Sequence, residues 1–183
     1  PAISTGAGSN ADITLSGTTT GTGSVDGVVL SSAASLATTG DNSDVSVTGV
    51  SAGEAGVAVG AASTITTTGA TGTITIDGTS SGTSSTNSEG VRLNGSGTVV
   101  STTGANAVID IDGRATNAAG GNGVVIENEA DVTTTMDGAN IAIDGTSSGT
   151  NTTNADGVHI SSTNTVVSTT GNTATIGITG TTA

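Results

Sequence analysis

The chain has 183 residues, 30 of them glycine, with no Phe, Tyr, Trp or Cys and a formal net charge of −13. It has no lysine, and its only basic side chains are Arg92, Arg114 and His159, so it lacks the clustered cations that neutralise nucleic-acid phosphates or anionic membrane surfaces. The absence of Cys excludes a disulfide framework, and no apolar run approaches the roughly 18 residues of a membrane-spanning helix.

Without aromatic rings the core must be thin and regular, built from Val, Ile, Leu and Ala. So much Gly, Ser, Thr and Asn would suit a disordered segment. Two features oppose that: a single proline, Pro1, and a strict alternation of apolar residues.

That alternation sits inside a motif of about 33 residues that recurs five times. The chain opens on AISTG, the tail of a third segment. The first full unit then gives ITLSG at 13–17, GVVL at 27–30 and SLATTG at 35–40. The second gives VSVTG at 45–49, GVAV at 56–59 and TITTTG at 64–69. The third gives ITIDG at 74–78, GVRL at 90–93 and VVSTTG at 99–104. The fourth gives IDIDG at 109–113 and GVVI at 123–126; its third segment, aligned on Gly138, places Met136 at the second inward position after Val132 and Thr134. The fifth gives IAIDG at 141–145, GVHI at 157–160 and VVSTTG at 166–171, and the chain stops on TIGITGTTA, just past a first segment.

Three glycine series keep step at spacings of 29 to 35 residues. Gly17, Gly49, Gly78, Gly113, Gly145 and Gly180 close the first segment; Gly27, Gly56, Gly90, Gly123 and Gly157 open the second; Gly6, Gly40, Gly69, Gly104, Gly138 and Gly171 close the third. In the first segment Ile13/Leu15, Val45/Val47, Ile74/Ile76, Ile109/Ile111, Ile141/Ile143 and Ile176/Ile178 alternate with polar residues, which predicts strands with one buried face. In the second, Val28/Leu30, Val57/Val59, Val91/Leu93, Val124/Ile126 and Val158/Ile160 flank the variable outward residues Val29, Ala58, Arg92, Val125 and His159. In the third, Leu36, Ile65, Val100 and Val167 are followed on the same face by Thr38, Thr67, Thr102 and Thr169.

Each short strand best matches its counterpart one period away, so parallel in-register stacking is expected. The fold class is all-β: a parallel β-helix (β-solenoid) with three short strands per coil and about 33 residues per coil. Residues 1–183 form a single repeat array of five complete coils, with partial coils at both ends. Right-handed winding is expected because the hexapeptide pattern of left-handed solenoids is missing. Coils spaced about 4.8 Å apart make a rod of roughly 29 Å. Each coil buries about six aliphatic side chains, worth about 1.5–3 kcal/mol apiece as an upper bound. The glycines are expected at corners. Asn42, Asn106 and Asn140, with Thr71 and Thr173 near the same place, are expected to form a corner ladder.

Length variation concentrates between the first and second segments, where the glycine-to-glycine stretch spans 10, 7, 12, 10 and 12 residues. The longest versions, TSSGTSSTNSEG and TSSGTNTTNADG, are polar and lack the aromatic anchors of a tight binding surface.

The aliphatic pairs, the TTG corners (Thr38–Gly40, Thr67–Gly69, Thr102–Gly104, Thr169–Gly171) and the GV strands resemble the β-helical repeat regions of large secreted bacterial exoproteins. Filamentous-haemagglutinin-type adhesins and autotransporter passenger domains are such proteins. The resemblance covers essentially the whole chain. It implies secretion, a rigid stalk-like shape and a part in surface attachment or matrix, and it carries over no catalytic residue. The calcium-binding nonapeptide of another β-helical group is absent, since GGNGVVIEN at 120–128 has valine where the ligand aspartate belongs.

Several residue columns invite a sharper reading. Asp77, Asp112 and Asp144 each precede a first-segment glycine, and stacked hard oxygens are the ligand type Ca²⁺ takes. Like charges about 4.8 Å apart in water repel by only about 0.9 kcal/mol, so no metal is needed, and solvated turn aspartates are the favoured reading. Asp26, Glu89, Asn122 and Asp156 precede the second-segment glycine as turn formers. No cofactor is expected. A polysaccharide-active enzyme would need paired carboxylates; Asp110 and Asp112 share one strand face with Arg114 near, and His159 stands alone. Nothing in this spacing assembles a nucleophile with its base, so the expectation is a non-enzyme.

The second alternative is ice binding through outward Thr and Ser ranks on the third strand. Those pairs are Ala37/Thr39, Thr66/Thr68, Ser101/Thr103, Thr135/Asp137 and Ser168/Thr170, interrupted by Ala37 and Asp137. The bland reading is that Thr is simply a good solvent-facing strand residue.

The sequence thus points to a structural module of an extracellular or cell-surface fibre or adhesin. Its expected partners are its own kind, by end-to-end stacking or continuation of the same chain, and cell-surface or matrix components.

Overall fold

The computed structural model of the chain describes residues 1–8, 10–83, 87–116, 120–148 and 155–182. Its strands form three parallel sheets that wind around one another as a β-solenoid of about five turns. The first-segment sheet comprises β2 (Ile13–Thr19), β5 (Val45–Ser51), β8 (Thr73–Ser80), β11 (Val108–Ala115), β14 (Asn140–Ser147) and β17 (Thr175–Thr182). The second comprises β3 (Val28–Leu30), β6 (Val57–Gly60), β9 (Val91–Asn94), β12 (Val124–Glu127) and β15 (Val158–Ile160). The third comprises β1 (Ala2–Ser4), β4 (Ser35–Thr38), β7 (Thr64–Thr67), β10 (Val99–Thr102), β13 (Asp131–Thr134) and β16 (Val166–Thr169). Among the described residues no helix is long and apolar enough to cross a membrane.

Every strand pairs with its equivalent one repeat away, and the apolar columns fall in register. Ile74 stands beside Ile109, Ile109 beside Ile141, Val91 beside Val124, and Ile65 beside Val100. A middle coil therefore contributes Ile74, Ile76, Val91, Leu93 and Val100 to the core, all fully buried. The sixth inward place of each coil is threonine. Thr38 donates to the Ser43 carbonyl at 3.1 Å, whereas the hydroxyls of Thr67, Thr102 and Thr134 are buried with no hydrogen-bond partner.

The first-segment glycines are not corners. The strands run straight through them, for two residues past Gly17 and Gly49 and also past Gly78, Gly113, Gly145 and Gly180. None of these glycines has a positive φ. Their side-chain positions point inward at the second strand. A Cβ on Gly49, Gly78, Gly113 or Gly145 would lie 1.9, 2.0, 2.0 or 1.8 Å from the carbonyl oxygen of Gly56, Gly90, Gly123 or Gly157. Glycine is required there by backbone-to-backbone contact, not by backbone conformation. Beyond the pinch the inward face ends on Ser51, Ser80, Ala115 and Ser147. The Ser51 and Ser80 hydroxyls donate to the Val25 and Glu54 carbonyls at 2.7 and 2.6 Å.

Left-handed backbone marks two corners: one between the second and third strands, as at Ala33, Ala62, Gly97, Glu129 and Asn164, and one after the third strand, at Asn10, Asn42, Thr71, Asn106, Gly138 and Thr173, where φ lies between 53° and 72°. Backbone bonds continue around the latter: the Asn42, Thr71 and Asn106 amides donate to Ala70, Ala105 and Asp137 at 2.9, 2.9 and 3.0 Å. The Thr71 hydroxyl also donates to the Asn42 side-chain oxygen. Asn140, expected in this column, lies instead at the start of β14, beside Val108 and Thr175. Gly138 takes the corner in the fourth coil, since glycine adopts the left-handed conformation without a steric penalty.

That shift also corrects the fourth third-strand. Val132 and Thr134 pair with Val100 and Thr102, so they are the inward pair, and Met136 stands where other coils have Gly104 and Gly171. Its side chain is 46% exposed. In the first coil Ser4 pairs with Ala37, which puts Gly6 beside Thr39 and leaves the Gly8 carbonyl 1.8 Å from where a Cβ on Gly40 would be. Neither Gly6 nor Gly138 therefore belongs to the series containing Gly40.

Two predictions follow from this packing. Gly113→Ala must push two backbones apart and should lower stability by about 3 kcal/mol or more, while Gly177→Ala, with nothing within 4 Å of its Cβ, should leave the melting temperature unchanged. Thermal denaturation followed by circular dichroism compares the two. Thr102→Val removes an unpartnered buried hydroxyl and should stabilise by about 1 kcal/mol, whereas Thr38→Val forfeits a made hydrogen bond and should not.

Candidate functional site

With the interior occupied by stacked aliphatics, chemistry is left to the three outer faces. On the first sheet, Asp77, Asp112 and Asp144 are neighbours in register and exposed. They share a shallow groove with Arg114, Thr79 and Thr146. In-register stacking spaces the carboxylates along a line instead of converging them on a point. Among the described residues, no group of three or more His, Asp or Glu side chains is placed to hold a metal ion. Partial burial raises the Asp112 pKa above the ordinary carboxylate value, and the charges of Asp110, Asp144 and Asp77 push it the same way.

Other carboxylates and amides have a different task. The Asp12 and Asp44 side chains accept from the Asp44 and Thr73 amides of the next coil at 2.9 and 2.7 Å. Asp41 accepts from Ala70 at 2.9 Å, Asp137 from Asn172 at 2.7 Å, and Asn140 from Thr175 at 3.2 Å. The column before the second strand behaves likewise: Asp26 accepts from the Ala55 amide at 2.8 Å and Asn122 from that of Asp156 at 2.9 Å. These side chains staple one coil to the next. A one-period spacing between an Asp or Asn and a polar turn residue was the signal available for them. Glu89, in the same column, is buried with Oε2 unpartnered, and burial raises its pKa; burial also raises that of Asp26.

The outer face of the third sheet holds the polar ranks. Thr66, Ser101 and Ser168 lie within its strands, and Thr39, Thr68, Thr103, Thr135 and Thr170 lie one step past the strand ends. The Thr68, Thr103 and Thr170 amides extend the ladder, donating to Thr38, Thr67 and Thr134 at 3.1, 3.1 and 3.2 Å. In the fourth coil the outward pair is Thr133/Thr135, because Thr133 pairs with Ser101; Asp137 is two residues beyond, capping Asn172. From Thr39 onward the second rank is therefore unbroken threonine, and the first reads Ser4, Ala37, Thr66, Ser101, Thr133, Ser168.

The second sheet is the face that does not repeat. Val29, Ala58, Arg92, Val125 and His159 follow one another up its outer column. His159 Nδ1 lies within hydrogen-bond distance of Asp156 Oδ2, at 3.0 Å. Arg92 donates to Asn87 at 2.9 Å and Asn94 to Glu127 at 2.7 Å. The variable loops lead into this sheet; their residues 84–86, 117–119 and 149–154 lie outside the described residues.

Comparison with known proteins finds no matching family, no matching curated protein and no matching solved structure. The class that the geometry itself defines is a β-solenoid of stacked parallel strands.

The raised carboxylates give stability a definite pH dependence. A carboxyl whose folded pKa exceeds its unfolded value contributes stability that is full below the unfolded pKa and is lost as pH rises through the folded one. Acidification from pH 7 towards about 4 should therefore raise the melting temperature. Asp112→Asn should raise it at pH 7, relieving on the order of 1 kcal/mol of repulsion before salt screening, and should shrink the gain on acidification. Melts of both proteins across this range provide the check.

Proposed function

We propose that the chain is a structural module of an extracellular or cell-surface fibre or adhesin, supplying a rigid rod with polar Ser, Thr and Asp faces. The observation that carries the reading is the uninterrupted stack. All three sheets keep register through every coil, and side-chain staples tie each coil to the next. Such a scaffold resists bending, and its net charge of −13 opposes side-by-side aggregation at low salt. The resemblance to exoprotein repeats supports the location outside the cell. No catalytic role is assigned to any residue.

Coil-on-coil stacking is part of this reading. β17 is exposed along its whole length, and its inward Ile176 and Ile178 are 40% and 47% exposed, so a further coil would cover both an apolar surface and an unpaired strand edge. For a separate copy, β2 would sit on β17 and β1 on β16. Sheet two has five strands where the others have six, so one strand position above β15 would stay vacant in that arrangement.

A second reading is favoured by one observation, the unbroken threonine rank Thr39, Thr68, Thr103, Thr135 and Thr170. A rigid array of hydroxyls and methyls at coil spacing could order water as an ice-binding face does.

Two measurements test these readings. Beads coated with the folded chain should be retained on matrix or cell surfaces above beads coated with Gly113→Ala; equal retention refutes attachment. A thermal-hysteresis assay should show no freezing-point gap if the fibre reading is right. A gap abolished by Thr103→Lys would instead establish the ice-binding face.

A further inference from the structure

The outer face of the second sheet carries a depression that the fibre reading does not use. Its floor is the second coil, where the two outward positions hold Ala58 and Gly60. Arg92 and Asn94 occupy those positions in the coil above, and Val29 stands beside Ala58 in the coil below. Small residues between larger ones open a groove of about 350 Å³, to which Asp26 and Ser31 also contribute. That is at the low end of the range for small-ligand sites, roughly 300–1,000 Å³.

The polar groups around it keep bonding capacity in reserve. Asp26 uses Oδ1 on the Ala55 amide, Arg92 uses Nη1 on Asn87, and Asn94 uses its amide nitrogen on Glu127. Asp26 Oδ2, the remaining guanidinium N–H groups, Asn94 Oδ1 and the Ser31 hydroxyl are without protein partners among the described residues. Arg92 has no carboxylate within ion-pair distance, although the field of Arg92 is felt at both Asp26 and Glu89.

We propose that this groove binds one unit of a neutral saccharide, with Asp26, Arg92 and Asn94 engaging ring hydroxyls and Val29 and Ala58 meeting the C–H face. The charge pattern selects that chemistry. A guanidinium on one wall and a carboxylate on another disfavour a ligand of either net charge, and a chain of net charge −13 repels acidic glycans. Vicinal hydroxyls, each donor and acceptor, match a planar carboxylate, amide and guanidinium together. The groove is open and lacks an aromatic platform, so affinity is weak, with Kd on the order of 1 mM per unit. The proposal stands apart from the fibre reading, which survives if the groove proves empty.

The test is an amide chemical-shift titration of the whole chain with maltotriose, cellotriose, mannotriose and chitotriose, and with trigalacturonate as the acidic comparison. At least one neutral trisaccharide should shift the amides of Ala58, Gly60, Arg92 and Asn94 in a saturable way. Ala58→Leu, which fills the floor from an outward position, should abolish the shifts, and Arg92→Met should weaken binding at least fivefold. No shifts at 20 mM of any neutral probe, tighter binding of trigalacturonate, or unchanged binding by both variants would each overturn the proposal.

Discussion

The cross-section of this solenoid depends on one contact, repeated in every coil: a first-strand glycine laid directly against the backbone of a second-strand glycine. At Gly78 and Gly113 there is no room even for a methyl group, with the facing carbonyl 2.0 Å from the Cβ position. The contact closes one end of the coil without any side chain. It leaves the interior to five aliphatics and one threonine, so the coil is thin enough to be filled by Val, Ile and Leu without an aromatic ring. It also resists slippage. A one-residue shift of register would exchange inward and outward residues along the strand and drive a side chain such as Thr79 or Arg114 into the pinch.

Once the coils are locked in register, each outer position becomes a line running along the rod. The surface is therefore organised by column more than by patch. Where a column repeats Asp or Asn near a corner, its side chains reach the amide of the next coil and become part of the scaffold, as Asp12, Asp44 and Asp41 do. Where it repeats Asp in mid-strand, as at Asp77, Asp112 and Asp144, the charges face one another in near-solvent and raise the Asp112 pKa beyond what burial alone does. On the second sheet the outer column changes sharply in size and charge from coil to coil, through Val29, Ala58, Arg92, Val125 and His159. The depression there exists because Ala58 and Gly60 fall between bulkier neighbours.

The fold was legible because the evidence for it was redundant. Ile-x-Ile, Gly-Val-x-Leu and Thr-Thr-Gly each announced a strand, and each recurred at a common period, so parallel pairing with the next repeat followed without knowledge of any contact. The errors came where a single residue type can serve two purposes. Spacing aligns Gly138 with Gly104, yet Gly138 is a left-handed corner and Met136 holds the place of Gly104. The first-segment glycines looked like turn residues because glycine is so often found in turns, whereas here they lie in extended strands. Asn140 looked like a corner asparagine and is a strand residue with a stapling side chain.

By itself, the sequence determined the period, the strand count per coil, nearly all of the inward-facing residues, and the acidity and scarcity of cations. These are local or additive properties, and alternation and composition report them directly. Tertiary structure decided what happens between coils: which glycines meet, which carboxylates cap the next turn, that the threonine rank is continuous through Thr135, and that Arg92 overlooks a groove floored by Ala58. Each of these depends on residues about one period apart being brought within hydrogen-bond or van der Waals distance, and on coil lengths that vary by several residues. Only the three-dimensional register resolves which partner each residue meets.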